Sequence, residues 1–368
     1  MLRGFAALYV FAGHFVAARI FSKESDAGLF LRFGQEAVML FFLLSGFVVY
    51  YSTAKHGDLA FRPYFVRRLR RIYPIFLLAL GISALNAMVI STNGHLTFSA
   101  EQLLGNLGML QDFKGGKPGV WVPPLFGNVA LWSLSYEWWF YMMFFPLYRY
   151  VRASLRIHVV AAISLIGFAT YWLHFNQVSL FLMYFILWWT GAELGRAYLE
   201  KQSITFASQK SSIIYLGILT ALVAVPIVVA QRTHQALSFG MHPILEFRHF
   251  AACLIFLVGG LFWSRMKWIG FRTLFGVFAF VSPISYALYV FHYPLAVKSS
   301  FLNAIPSLPL RIVGYLAVTF LLAYLAEVPF QNWINRVTDR FTRRVKTKTM
   351  PVAAKSDELR SVSASQAG

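Results

Sequence analysis

Charge is what this sequence has least of. Only 13% of its 368 residues are Asp, Glu, Lys or Arg, and 14 of those are acidic. An ordinary globular domain carries about 25%, so a water-facing surface of normal size is excluded. Cysteine is nearly absent too: Cys253 stands alone inside an apolar run. That excludes a disulfide framework and a cysteine-based metal site, and no metal is expected. Internal repeats are missing as well, and with them the inverted-repeat pattern of many transporters.

In place of charge, the chain has 58% apolar residues, gathered into runs of about 20, each long enough to span a bilayer. Lipid is the main solvent. The expected fold class is therefore all-α, a polytopic helical membrane protein with about ten transmembrane helices. The runs place spans near 4–21, 33–51, 72–91, 129–148, 157–174, 179–196, 212–230, 248–264, 274–296 and 312–334. The first run is too long for a signal-peptide core and lacks a small-x-small cleavage site, so it counts as a span. Segment 92–128, with Lys114-Gly115-Gly116-Lys117-Pro118-Gly119 and Pro123-Pro124, reads as a loop on the far face. The expected organisation is a transmembrane domain over 1–335 and a basic, then polar, disordered cytoplasmic tail over 336–368.

The basic residues give the sides. With an inner N-terminus, 24 of the 33 Lys and Arg fall in inner segments, among them Lys201 and the tail residues. The outer segments hold nine: Arg19, Lys23, Arg32, Lys114, Lys117, Arg232, Arg248, Lys298 and Arg311. This is the positive-inside bias with both termini cytoplasmic. It also accounts for the net charge of +19 without nucleic acid, which would need those charges gathered on one soluble face.

An ionisable group within a span costs at least ~2.5–3.5 kcal/mol, so each is a functional candidate. His14, Glu137, Glu193, His292 and Glu327 qualify. His14 follows Arg3 by eleven residues, on the same helical face and about 16 Å deeper. Packing glue between helices is the plainer reading of such a histidine; catalysis or proton handling explains its cost better. Glu137 enters from the other end to a similar depth and is the expected partner of His14. Ser133 and Tyr141 flank it at four residues either way, with Trp132 alongside. Tyr286, Tyr289 and His292 share a face of the ninth span. The inner loop Phe61–Pro74 packs Arg62, Arg67, Arg68, Arg70 and Arg71 into ten residues. A lipid-facing topology anchor explains the charge, whereas arginine throughout suits bidentate recognition of phosphate.

Several blocks in order resemble the acyltransferase-3 family of integral membrane O-acyltransferases. Leu2-Arg3-Gly4-Phe5 through His14 resembles its arginine-x10-histidine first helix, and Phe41-Phe42-Leu43-Leu44-Ser45-Gly46-Phe47 its second-helix signature. Arg67-Arg68-Leu69-Arg70-Arg71-Ile72-Tyr73-Pro74 is similar to the arginine-rich segment before its third helix. Trp132-Ser133-Leu134-Ser135-Tyr136-Glu137-Trp138-Trp139-Phe140-Tyr141 resembles its tryptophan-serine-leucine block, and Ile284–Pro294 and Glu327-Val328-Pro329 its last two. The chain departs from the pattern at Met39, where relatives often have an acidic residue, and at Leu2, where they often have aspartate.

The resemblance implies transfer of an acyl group, acetyl from acetyl-CoA, from the cytoplasm to a hydroxyl of a carbohydrate or glycolipid at the outer face. It implies a bacterial cytoplasmic (inner) membrane and a role such as polysaccharide or lipopolysaccharide O-acetylation. The expected partners are membrane lipid, acyl-CoA and the acceptor. His14 and Glu137 are the catalytic candidates, with His14 as general base or acyl carrier. Arg3, Arg67, Arg68, Arg70 and Arg71 are the candidates for CoA binding. Ser45, Trp132, Ser133, Tyr141, Tyr286, His292 and Glu327 are the candidates for substrate binding. The alternative function is a proton-coupled transporter or flippase for a glycan or lipid precursor, in which the buried His and Glu residues would form a proton relay.

Overall fold

The structure, a computed structural model, describes residues 1–20, 31–57, 60–91, 96–200 and 204–349, with side chains through 340. Lys23, Lys201 and the expected tail beyond 349 lie outside the described residues. Thirteen α-helices follow in order among them: α1 Leu2–Arg19, α2 Gly34–His56, α3 Phe61–Ile90, α4 Ala100–Leu107, α5 Trp132–Tyr150, α6 Ala153–Leu173 and α7 Gln177–Leu199. The rest are α8 Lys210–Arg232, α9 Ile244–Arg265, α10 Phe271–Phe275, α11 Ser285–His292, α12 Leu308–Leu325 and α13 Gln331–Thr349. The described residues contain no strand, only one isolated bridge between Gln111 and Val122. The chain is an all-α polytopic membrane protein.

Seven helices are long and apolar enough to cross a bilayer, or up to eight if the bent pair Phe271–Ala279 and Ser282–Val297 is one span. All ten expected spans coincide with helical segments. Of those outside the seven, α1 and α5 have 18 and 19 residues and fall short on hydropathy, because Arg3 and His14, or Ser133, Glu137 and the aromatics, interrupt them. The span expected at 274–296 is broken, with a bend of 55°. Pro283 opens its second half, and a residue before proline is pushed away from helical backbone.

Two expected loops are ordered helix or packed chain. The arginine block begins α3 rather than a loop, since Pro63 sits in the first helical turn, where a missing N–H costs nothing. Segment 96–131 contains α4, opened by a capping box between Ser99 and Gln102. It also buries Lys117, which pairs with Asp112 at 3.1 Å and lies 4.1 Å from the Trp132 ring centroid. Burial pulls the Lys117 ammonium below its usual range, and the Asp112 carboxylate offsets this. At the other end, the expected domain boundary after 335 falls inside α13.

Helix packing follows the rule for lipid, where close backbone approach replaces a hydrophobic driving force. At the α2–α7 contact, a Cβ on Gly191 would overlap the Leu43 carbonyl and one on Gly46 the Trp188 carbonyl. Prolines redirect other contacts. Pro294 has no N–H for the Val290 carbonyl, which accepts instead from Asn128 Nδ2 at 3.0 Å. Pro74 likewise frees the Arg70 carbonyl, and Gln331 Nε2 donates to it at 2.8 Å. Short π-helical segments at Tyr293–Val297 and Ala326–Phe330 follow His292 and enclose Glu327.

Candidate active site

Two cavities lie along the same helices. The larger, about 360 Å³, is lined by Arg3, Arg67, Arg68, Arg70 and Arg71 together with Ser45, Ser133, Glu137, Tyr141 and Tyr286. The smaller, about 150 Å³, is lined by His14, Gln35, Phe113 and Trp132. Val38 and Tyr289 line both and form the wall between them. Along α2 the large cavity reaches Ser52 and the small one Gly34. Eighteen residues at ~1.5 Å each is about 27 Å, close to the hydrocarbon thickness of a bilayer. The antiparallel α1 has Arg3 at the first cavity and His14 at the second, so the two chambers are stacked along the helix axes.

The large cavity concentrates guanidinium groups, each held differently. Arg68 Nη2 donates to Ser52 Oγ at 2.7 Å, and its guanidinium carbon lies 5.3 Å and 5.5 Å from the Tyr64 and Tyr141 ring centroids. Its Nε is buried without a protein partner. Arg71 forks onto Glu327 at 2.5 Å and 3.2 Å, and Arg70 pairs with Asp339 at 2.6 Å. Glu137 Oε1 accepts from Ser45 Oγ and from Tyr141 Oη, both at 2.5 Å. The polar stripe expected on α5 is therefore real, but it faces the arginines.

In the small cavity the partner of His14 is His292. Their rings stack at 5.2 Å with 8° between planes, and His14 Nδ1 lies 2.9 Å from His292 Nε2. The tautomers follow from the backbone. His292 Nδ1 is 2.6 Å from the Tyr289 carbonyl, which can only accept, so that nitrogen carries the proton. In the neutral pair His292 Nε2 then accepts from His14 Nδ1–H. His14 Nε2 is left with its lone pair, the arrangement of a base oriented by a second group.

The expected site residues thus divide. The five arginines, Ser45, Ser133, Glu137, Tyr141 and Tyr286 line one cavity, and His14 and Trp132 the other. His292 and Glu327 line neither; they lie behind, holding His14 and Arg71. Expected pairing of His14 with Glu137 gives way to His14–His292 and Glu137–Ser45–Tyr141, because equal depth on two helices does not make their faces meet. Ser52, Gln35, Phe113, Gln331 and Asn335 escaped sequence reasoning. The last two line the arginine cavity from α13, a contact across some 260 residues that no local pattern signals. Among the described residues no group of three or more His, Cys, Asp or Glu could hold a metal ion.

Acyltransferase MdmB of Streptomyces mycarofaciens is 32% identical over 162 residues, which is 41% of this chain and 38% of that protein. The chain therefore matches well under half the length of this relative. No solved structure matches. A family profile described as an acyltransferase domain matches residues 1–328, nearly the whole described bundle. On that match the chain belongs to the acyltransferase-3 family.

Proposed function

We propose that this protein moves an acetyl group from cytoplasmic acetyl-CoA to a hydroxyl of a carbohydrate or glycolipid at the outer face of a bacterial inner membrane. The observation that carries the reading is the pair of stacked cavities, one lined by guanidiniums and one by a histidine, meeting at Val38 and Tyr289. The 24-to-9 bias of basic residues supports the arginine cavity as the cytoplasmic one. The fit to a phosphate-bearing donor rests on the arginine set and on a buried donor that lacks a protein partner there, Arg68 Nε. Its volume of about 360 Å³ lies within the range of ligand pockets.

The thioester arm passes the wall at Val38 and Tyr289 and reaches His14. The acceptor lies in the small cavity, where Phe113, Trp132 and Tyr289 with the Gln35 amide suit a hydroxylated ring. His14 Nε2 takes the hydroxyl proton as the oxygen attacks the thioester carbonyl. The carbon–sulfur bond breaks, and the proton passes to the departing CoA thiolate, giving the ester and free CoA. General-base action at Nε2 needs no covalent intermediate, and the Nδ1–H bond to His292 orients that nitrogen. Reconstituted protein should release CoA from acetyl-CoA in step with ester formation on a carbohydrate or glycolipid panel. Transfer at the parent rate by His14→Ala would overturn the mechanism.

A further inference from the structure

Behind the histidine cavity lies a buried run of polar side chains that the proposed reaction leaves unused. His249 on α9 is fully buried and connects Tyr184 on α7 with Gln35 on α2. Its Nδ1 lies 2.8 Å from Tyr184 Oη, and its Nε2 lies 2.8 Å from Gln35 Oε1. The ring is also parallel to Trp132, at 5.6 Å with 7° between planes. Trp132 and Gln35 both line the small cavity, so one imidazole backs two of its walls. Proton positions follow from what each group lacks. Tyr184 is fully buried, and among the described residues its hydroxyl meets no acceptor other than His249 Nδ1. A buried O–H that donates to nothing carries a desolvation penalty, so Tyr184 donates to Nδ1. In the neutral ring the proton then sits on Nε2, which donates to Gln35 Oε1. The Gln35 amide is thereby fixed with its NH2 turned away from the ring. Gln35 Nε2 bonds to no described residue, yet it is not among the buried polar atoms left without a partner. It therefore opens on accessible space, and the cavity that Gln35 lines is the one that holds His14.

That chamber has no Lys or Arg in its walls, so a neutral N–H donor there selects a ligand oxygen by its lone pair. Gln35 stands in the first turn of α2, three residues or about 4.5 Å from Val38, on the side of the shared wall away from the arginines. Gly13, next to His14, packs against the Leu31 carbonyl one turn before Gln35, which puts the amide near the level of the catalytic histidine. We infer that Gln35 is a specificity-determining contact to an oxygen of the acceptor, and that His249 is a positioning residue that keeps the Gln35 N–H, not its carbonyl, facing the chamber. The inference rests on a carbohydrate acceptor in the small cavity and goes beyond it by naming the contact and what orients it.

Nitrogen NMR on full-length protein in nanodiscs, with labelled histidine, tests the orientation without substrate. The His249 signals, assigned by their loss in His249→Gln, should show the proton on Nε2. Tyr184→Phe, which removes the phenolic donor, should move it toward Nδ1. A proton on Nδ1 alone in wild type would overturn the device. Acetyl transfer to methyl hexopyranosides and their monodeoxy counterparts tests the contact. Loss of one oxygen should raise the acceptor KM of wild type roughly 3- to 10-fold, the worth of a neutral hydrogen bond. Gln35→Met keeps the length but not the amide; it should raise the KM of the parent sugar by the same factor and no longer distinguish the deoxy compound, with kcat and the acetyl-CoA KM near wild type. His249→Phe should raise the acceptor KM as well, and His249→Gln, whose amide can put an N–H where Nε2–H was, should restore most of it. Wild type indifferent to every deoxy position would overturn the contact whether or not the variants fold. An effect of Gln35→Met on kcat or on the acetyl-CoA KM alone would overturn its assignment to the acceptor. No transfer to any hexoside would overturn the carbohydrate reading, and the tautomer would still decide which way Gln35 faces.

Discussion

The two cavities share a wall and differ in how they treat charge. In the arginine cavity Arg71 pairs with Glu327, Arg70 with Asp339, and Glu137 with two hydroxyls. In the histidine cavity the two imidazoles pair with each other and with a backbone carbonyl. Under the proposed function the first would receive the anionic donor and the second would move the proton, so binding and chemistry would be separated along the helix axes, and variants on either side should fail differently.

The largest effect should come from the histidine side. His14→Ala should lower transfer by about 10²–10⁴-fold, the usual loss for a general base, while acetyl-CoA affinity measured by titration stays at the parent value. A matching loss of donor binding would erase the distinction between the chambers. His292→Ala should come next, on the order of 10²-fold, the cost of a mispositioned catalytic group. Its signature is a fall in kcat with the donor KM unchanged.

On the arginine side, Arg68→Lys keeps the charge but removes the planar fork, and donor affinity should fall roughly 10-fold, the worth of a hydrogen bond to a charged group. Turnover at saturating donor should be near normal. The smallest expected effect belongs to Glu137→Gln, which keeps the shape of the Ser45–Tyr141 contact and removes its charge. A rise of a few-fold in donor KM is expected, as for one net hydrogen bond. If Glu137→Gln instead shifted the pH profile of kcat in the manner of His14 variants, the two cavities would act as one site.

Much of the fold was legible because lipid imposes a length on every apolar run: α2, α6, α7, α8 and α9 lie where the hydropathy puts them. The arginine block, His14 and Glu137 were also visible, because buried ionisable groups are rare enough to stand out. Partners were not visible. Helix arithmetic gives the depth of His14 and Glu137 from their rise per residue, but rotation of α1 against α5 and α11 depends on packing that no single helix encodes. Glu327 and His292 looked like ligand contacts for the same reason. Each is a costly buried group, and only the assembled bundle shows that the cost is met by Arg71 and His14.

The sequence by itself determined a helical membrane protein, with basic residues at span ends and a histidine at depth, because those properties follow from composition, run length and spacing along one chain; its motif blocks in order carried the resemblance to the acyltransferase-3 family. Tertiary structure alone decided that Glu137 faces the arginines, that His292 sets the His14 tautomer, and that α13 closes the arginine cavity through the carbonyl that Pro74 leaves open. Those outcomes depend on helix rotation and on hydrogen bonds between residues hundreds of positions apart, which are settled only when the backbone groups of one helix meet the side chains of another.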